Sequence, residues 1–344
     1  MKNFKIKSIY QPFIFIIIAV FLSSCAKKTE KPKEKQISKT EKYPSDVIPF
    51  MDKWKILLGD GTRSENLVNF QKDDFFYVEK EKGTNWVVYK TPNSGITSKT
   101  SSNTRTELGE KRHWIPEEGG KLTGTLKVMH VSTTGDATKA SAYSVVVGQI
   151  HSGAGHENEP LKIYYKKFPG HTKGSVFWNY EINTKGDNIG RFDHSNAVWG
   201  YDFSIVGESA KVYPKEPEDG IALEEEFSYE VNVYKGIMYL TFTSKNHKTV
   251  TFTKSLIKTE FGTRADVPEQ VKRTYANREK GGGVEREIAY AGEINYFKQG
   301  AYNQANVKTG SEVYEGDIAK QYANGSYAEV WFKEATLGKS ERTN

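Results

Sequence analysis

Three short stretches of this 344-residue chain carry side chains able to hold an anion and to move a proton. Side chains alternate between the two faces of a strand. Read that way, "RTEL" (105–108) sets Arg105 and Glu107 on one face, with Leu108 opposite. "QIH" (149–151) sets Gln149 and His151 together and turns Ile150 away. "YFKQGAYNQ" (296–304) presents Tyr296, Lys298, Tyr302 and Gln304 on one side. Residues i and i+2 lie about 6.6 Å apart along a strand, so both members of a pair can touch one sugar-sized unit. A guanidinium fork and a carboxamide suit a carboxylate. An imidazole with an ordinary pKa of about 6.5 and a phenol near 10 are a base and an acid at neutral pH. Each stretch alone also fits a plainer role. Arg105 and Glu107 fit a solvated strand edge, Gln149 and His151 a buried and satisfied pair, and the last set a solvent-facing strand.

Taken in order, the three stretches resemble the signature motifs of the polysaccharide lyase family 7 alginate lyases, over roughly residues 47–335. The nine-residue third motif is the specific one. The resemblance implies an all-β fold, a single β-jelly-roll sandwich with a concave substrate-binding sheet. It also implies catalytic roles for Arg105, Gln149, His151 and Tyr302, and substrate contacts for Glu107, Tyr296, Lys298 and Gln304. One position departs. The family's first motif usually continues with a second arginine, and Gly109 stands there, on the face of Arg105 and Glu107. Lys111 and Arg112 follow closely enough to be candidates for replacing it.

The substrate so implied is alginate, a chain of 4-linked mannuronate and its C5 epimer guluronate. Cleavage is a β-elimination: the C5 proton leaves, the 4-linked oxygen is expelled, and an unsaturated end remains. C5 adjoins a carboxylate, whose charge makes that proton a poor acid. Arg105, helped by the Gln149 amide, is expected to neutralise the carboxylate and stabilise the charge that develops on it. In guluronate the proton and the leaving oxygen lie on opposite faces, which asks for His151 as base and Tyr302 as acid. In mannuronate they share a face, and Tyr302 can serve both ends of the transfer. Arg105 and Lys298 favour the phenolate that such a dual role needs. In the family, isoleucine in the second motif goes with guluronate-containing substrate, so Ile150 leans the expectation that way. "KDD" (72–74) and "EEE" (224–226) read as solvated charge runs rather than calcium loops, so no metal and no other cofactor is expected. The competing function is a surface protein that only captures alginate, which has no reason to keep the full Arg, Gln, His and Tyr set. A glycoside hydrolase needs two carboxylates flanking the bond, and no strand offers them.

The elements that must position these residues are strands. Thirty Gly, 20 Tyr and 18 Phe, with no long amphipathic helix, favour an all-β chain. Strand-like runs are "KLTGTLKVMHVS" (121–132), "AYSVVVGQIHS" (142–152), "LKIYYKKF" (161–168) and "SVFWNYEI" (175–182). "FSYEVNVYKGIMYLTFTS" (227–244) reads as a hairpin turning at "YKG", and "GEINYFKQGAYNQ" (292–304) as the strand of the third motif. "VIPFMDKW" (47–54) fits a short helix or an opening strand. Irregular composition marks long loops at 91–104, 152–160, 183–200 and 273–287, which suits a partly closed groove and cutting from a chain end. The remaining histidines, His113, His130, His156, His171, His194 and His247, fall in loops or ordinary strands. His156, His171 and Arg191 are candidates for sugar contact, and Trp178, Trp199 and Tyr164 for ring stacking or core packing.

The net charge of +6 belongs to the N-terminus. Residues 1–24 carry +3 and residues 26–45 carry +4, which leaves about −1 for residues 46–344. A nucleic-acid partner is therefore not expected. Lys2, Lys5 and Lys7 precede the ten-residue apolar run 13–22, too short to span a bilayer and suited to a signal segment over 1–24. "LSSC" (22–25) resembles a bacterial lipobox, which implies cleavage before Cys25 and lipidation of its thiol. Cys25 is the only cysteine, so the fold rests on its core rather than on disulfides. Residues 25–45 are expected to be the lipidated cysteine and a flexible charged tether, and 46–344 the catalytic domain. The expectation is a monomeric lipoprotein of the outer membrane, held there through the lipid on Cys25.

Overall fold

The computed structural model describes residues 42–97, 101–153, 158–184, 190–268, 283–305 and 317–342. Cys25, the expected signal segment, all but the end of the tether, and His156 lie outside them.

Nine strands form one antiparallel sheet. In spatial order they are β10 (Asp193–Trp199), β9 (Lys173–Glu181), β8 (Leu161–Lys166), β7 (Ser144–Ser152), β15 (Asn295–Asn303), β5 (Arg105–Glu110), β1 (Trp54–Leu57) and β2 (Arg63–Ser64). The ninth, β11 (Ile221–Ala222), pairs with β9. The second sheet runs β14 (Val250–Ser255), β13 (Ile237–Ser244), β12 (Phe227–Tyr234), β6 (Gly120–His130), β16 (Tyr327–Gly338), β4 (Thr84–Pro92) and β3 (Phe76–Glu81). The jelly-roll sandwich implied by the resemblance is the fold. Strands distant in sequence are neighbours in the sheet, so all three motif strands, β5, β15 and β7, lie side by side.

The core forms between the sheets. Val145, Val147 and Ile150 of β7, Leu108 of β5 and Phe297 of β15 pack there with Leu126, Val231 and Phe332 of the second sheet, all buried. Each such side chain contributes about 1.5–3 kcal/mol of burial. A polar tie crosses this core beneath the motif strands: Gln299 Nε2 donates to the Tyr229 hydroxyl at 2.7 Å. Gly148 leaves the space for it, since a Cβ there would sit 2.7 Å from the Tyr229 oxygen. Burying the core face of the first sheet turns the alternate side chains of the motif strands outward, onto what becomes the site face.

The hairpin at 227–244 forms as expected, β12 and β13 pairing from Phe227↔Ser244 to Tyr234↔Ile237. Its two turn residues, Lys235 (φ 50°) and Gly236 (φ 79°), are both left-handed, as a two-residue hairpin turn requires. "VIPFMDKW" divides into the end of a one-turn helix α1 (Pro44–Val47), a 3₁₀ turn (Met51–Lys53) and the start of β1. The only other α-helix among the described residues is α2 (Ile318–Ala323). The expected loop 183–200 needs correction, because residues 193–199 form β10, antiparallel to β9. Its polar residues hid it: Asp193 and Ser195 are buried on the site face, where Asp193 accepts a hydrogen bond from Asn179 Nδ2 at 3.1 Å. Strands β4 and β16, central to the second sheet, lie outside the strand-like runs read from the sequence.

Candidate functional site

The site face is built from cross-strand rows. Tyr296 of β15 lies opposite His151 of β7, and Lys298 lies opposite Gln149 on one side and Gly109 on the other. Tyr302 lies opposite Arg105. His151 therefore stands toward one end of these strands and the Tyr302–Arg105 row toward the other, with Gln149, Lys298 and Glu107 between them.

Glu107 is the hub. Its carboxylate accepts from Arg105 Nη1 at 3.3 Å and from Gln149 Nε2, and Lys298 Nζ lies 3.5 Å away. Two formal cations around one carboxylate leave the hub with an excess of one positive charge. Burial works against the charge on Arg105, yet Tyr302, Glu107 and Glu159 outweigh it and hold the guanidinium's pKa above its ordinary value. Burial pulls Lys298 down, opposed by Glu107. The Arg105 guanidinium carbon also sits 3.8 Å from the centre of the Tyr302 ring, a cation–π contact that fixes both groups. Ser101 closes the corner: its hydroxyl accepts from Arg105 Nη2 at 2.8 Å and lies 3.3 Å from the Tyr302 hydroxyl.

At the other end, His151 Nδ1 lies 2.6 Å from the Ser152 carbonyl, a contact that places the proton on Nδ1 and leaves Nε2 as the open lone pair. Burial, reinforced by the charge of Lys298, pulls the imidazole pKa down to about 4. It is therefore neutral at physiological pH and able to accept a proton. Glu159 Oε1 lies 3.5 Å from Nε2, and the Tyr296 ring tilts against the imidazole at 5.2 Å between centres. His113 stacks on Tyr296 at 5.1 Å.

Beyond Gln149 the same row continues through Lys162 of β8 and Asn179 of β9, and here the face is covered. Lys162 Nζ lies 3.1 Å from Asp193, 3.4 Å from Glu181 and 3.5 Å from Glu159. Arg191 fastens the cover, its Nε 3.2 Å from Glu181 and its Nη1 donating to Asn158 at 3.1 Å. Burial resists the charge on Lys162, but Asp193 and Glu181 outweigh it and its pKa stands well above normal. Burial drives the pKa of Glu181 well above its ordinary value, with Glu159 and Asp193 adding to the rise and Lys162 and Arg191 opposing it. Every residue of β8, and every residue of β9 after Lys173, is buried.

A family model described as "Alginate lyase" matches residues 48–339. The chain belongs to the alginate lyase family. It is 30% identical over 269 residues to an alginate lyase of Klebsiella pneumoniae, an alignment covering 68% of this chain and 73% of that protein. Among solved structures it is similar to the exolytic PL7 alginate lyase AlyA5 of Zobellia galactanivorans, at 70% identity. That match has a TM-score of 0.86 and covers 88% of this chain and all of the other. The solved alginate lyase of Klebsiella pneumoniae superposes with a TM-score of 0.61 at 23% identity, over 88% of this lyase and 100% of that chain, which speaks to the fold alone.

In this alginate lyase the motif residues fall on one face, but not with equal access. His151, Tyr296 and Tyr302 keep partial contact with solvent, Arg105 and Lys298 are buried beside them, and Gln149 and Glu107 are more deeply buried. Gln149 is fully buried, and its Oε1 has no hydrogen-bond partner among the described residues. Glu107 spends its carboxylate on two protein cations and one amide, so its contacts are those of a positioning residue. Gln304 lies just past β15, buried, with its backbone N–H bonded to the Ser144 carbonyl at 3.0 Å. Trp178 and Trp199 are core residues, and Tyr164 faces the site side but is capped by Phe203, 5.5 Å between ring centres. His171 lies beside Phe168, and Arg191 is bound to protein partners. Ser101, Glu159 and His113 join the site without a motif to announce them.

Proposed function

We propose that this alginate lyase removes the C5 proton of a uronate held between His151 and Tyr302, cutting guluronate-containing chains from an end. The observation that carries the reading is the Glu107 hub, with its excess positive charge, flanked along the strands by a neutral imidazole and a phenol. A uronate carboxylate drawn to Arg105 and Lys298 loses the charge that protects the C5 proton. His151 Nε2 accepts that proton, Tyr302 gives its own to the departing 4-linked oxygen, and the bond that breaks leaves the C4–C5 double bond behind. The two groups approach from different sides of the ring, which is what guluronate stereochemistry asks for. Gln149 takes part by ordering Glu107, to whose carboxylate its amide donates. Cutting from an end is supported by the ion-pair cluster over β8 and β9, where Lys162, Glu159 and Arg191 lie in the path of a chain crossing the strands. The 70% identical relative from Zobellia galactanivorans, an exolytic lyase, points the same way.

Incubation of residues 46–344 with polyguluronate and polymannuronate, followed by the ultraviolet absorbance of the unsaturated uronate end, tests the proposal. The expected result is turnover on guluronate-containing chains, lost by at least about a hundredfold in both Tyr302→Phe and His151→Ala. A folded protein that binds both polymers and yields no absorbance with either is a capture protein, and the lyase mechanism falls.

A further inference from the structure

The place left open by Gly109 is filled from a neighbouring strand. Gly109 lies opposite Lys55 of β1, on the row that runs from Gln149 through Lys298. Trp54 and Ile56 of β1 enter the core, so Lys55 is on the site face, where it is half-buried. Its Cγ and Cε both lie 3.7 Å from where a Cβ on Gly109 would stand, and the Tyr296 ring lies 3.8 Å from the same point. The stem of Lys55 thus lies across the glycine. The two motif-side candidates are engaged elsewhere. Lys111 Nζ donates to the Asp52 carbonyl at 2.8 Å, and Arg112 Nη2 to the Gly119 carbonyl at 3.2 Å.

Lys55 also differs from the other cations of this face. Arg105 and Lys298 sit on Glu107, Lys162 on Asp193, and Arg191 on Glu181. Lys55 has no carboxylate partner and no side-chain hydrogen bond among the described residues. A half-buried ammonium without a counter-charge, in a groove that receives a polyanion, is placed to take its partner from the ligand.

We propose that Lys55 binds a uronate carboxylate at a subsite next to the one that reacts, on the open side of the groove. Strands lie about 4.8 Å apart, so Lys55, two strands from Lys298, serves a sugar one or two units along a chain crossing the strands. The inference rests on the lyase reading for the identity of the ligand, and its geometry stands apart from the catalytic groups. The glycine carries no side chain of its own, and the lysine stem covers its place on the sheet.

Steady-state kinetics on size-defined guluronate oligomers test it. Lys55→Met keeps the aliphatic stem and removes the charge. It is expected to raise KM on the order of tenfold for oligomers long enough to reach the subsite, with kcat within about twofold, and Lys55→Arg to stay near wild type. A Cβ at 109 meets only ordinary van der Waals contacts, so Gly109→Arg is sterically admitted. In the Lys55→Met background it is expected to recover most of the lost affinity. An unchanged KM in Lys55→Met overturns the proposal, as does an equal loss in Lys55→Arg, which marks a packing role. Calorimetric binding of the same oligomers separates this from the catalytic reading. If the wild type binds without turnover and Lys55→Met weakens binding, the lyase mechanism fails and the subsite survives. If turnover is normal and binding is indifferent to Lys55, the reverse holds.

Discussion

A histidine that must accept a proton at neutral pH has to be neutral there, and His151 is kept so by burial first and by Lys298 second. The free imidazole would begin to charge near pH 6.5. Held at about 4, His151 stays a competent base through the mildly acid range. The acid limb of kcat/KM on guluronate-rich substrate, which reports the free enzyme, is therefore expected to have its midpoint well below 6.5. The linkage sign is that of a depressed group. The unfolded chain takes up this proton first as the pH falls, so the stability gained from a neutral His151 is full above 6.5 and is lost on descending toward 4. A kcat/KM midpoint between 6 and 7 would show an imidazole in contact with bulk water, which is inconsistent with its setting between Glu159, Tyr296 and Lys298. The Ser101 hydroxyl, shared between Arg105 and Tyr302, shows how residue-scale order is completed by groups with no chemistry of their own.

Two of the motif strands are irregular, and on β7 the irregularity decides which residues reach the site face. On β7, plain alternation would put Val147 on the face of Gln149, yet Val147 packs in the core and Val146 takes the outer face. The register with β8 shifts between Val146 and Gly148, so the bulge at Val147–Gly148 is what turns the pair Gln149 and His151 outward while Val145 stays inside. On β15 the register with β7 shifts between Gln299 and Tyr302, around Gly300 at φ 143°. Gly300 faces Glu107, and a Cβ there would lie 2.6 Å from the Thr106 carbonyl oxygen and 3.0 Å from Glu107 Cα. Gly300→Ala is expected to cost about 2–4 kcal/mol, from left-handed strain and the clash together, and to lower the thermal midpoint by several degrees. A midpoint within a degree of wild type would mean the strand relaxes without cost. These irregularities mark the limit of what one sequence discloses. The faces of the short motifs were legible because two or three residues alternate whatever the rest of the strand does. The Lys235–Gly236 turn was legible too, since it asks for a specific backbone. Bulges were not, because apolar runs such as "SVVVG" look alike in either register. Lys55, Ser101 and Glu159 were hidden for another reason: they reach the site through strand pairing and loop placement, relations between segments that no local pattern encodes.

At the scale of the whole molecule, the proposed cutting from a chain end rests on the cluster of ion pairs that occupies one end of the site face. The more open part lies on β1 and β15, where Lys55, Tyr296 and Tyr302 keep contact with solvent, and β5 between them is buried throughout. The covered half spans β8 to β10, and its outermost fastening is Arg191, which ties Glu181 to Asn158 across the two segments that close over Lys162. An enzyme that admits chain ends releases short products from the first minutes, and the viscosity of the polymer falls slowly for each bond broken. Arg191→Ala removes the fastening while leaving Arg105, His151 and Tyr302 in place. Its cost is expected to be about 1–3 kcal/mol, for the loss of one ion pair and one hydrogen bond made by a part-exposed side chain. The variant is expected to fold, to retain turnover within severalfold of wild type, and to shift early products toward longer oligomers with a faster fall in viscosity for each new unsaturated end. If the wild type itself produces mixed long oligomers at early times, the covered half does not stop the chain, and the polysaccharide takes a path other than the row from Lys55 to Lys162.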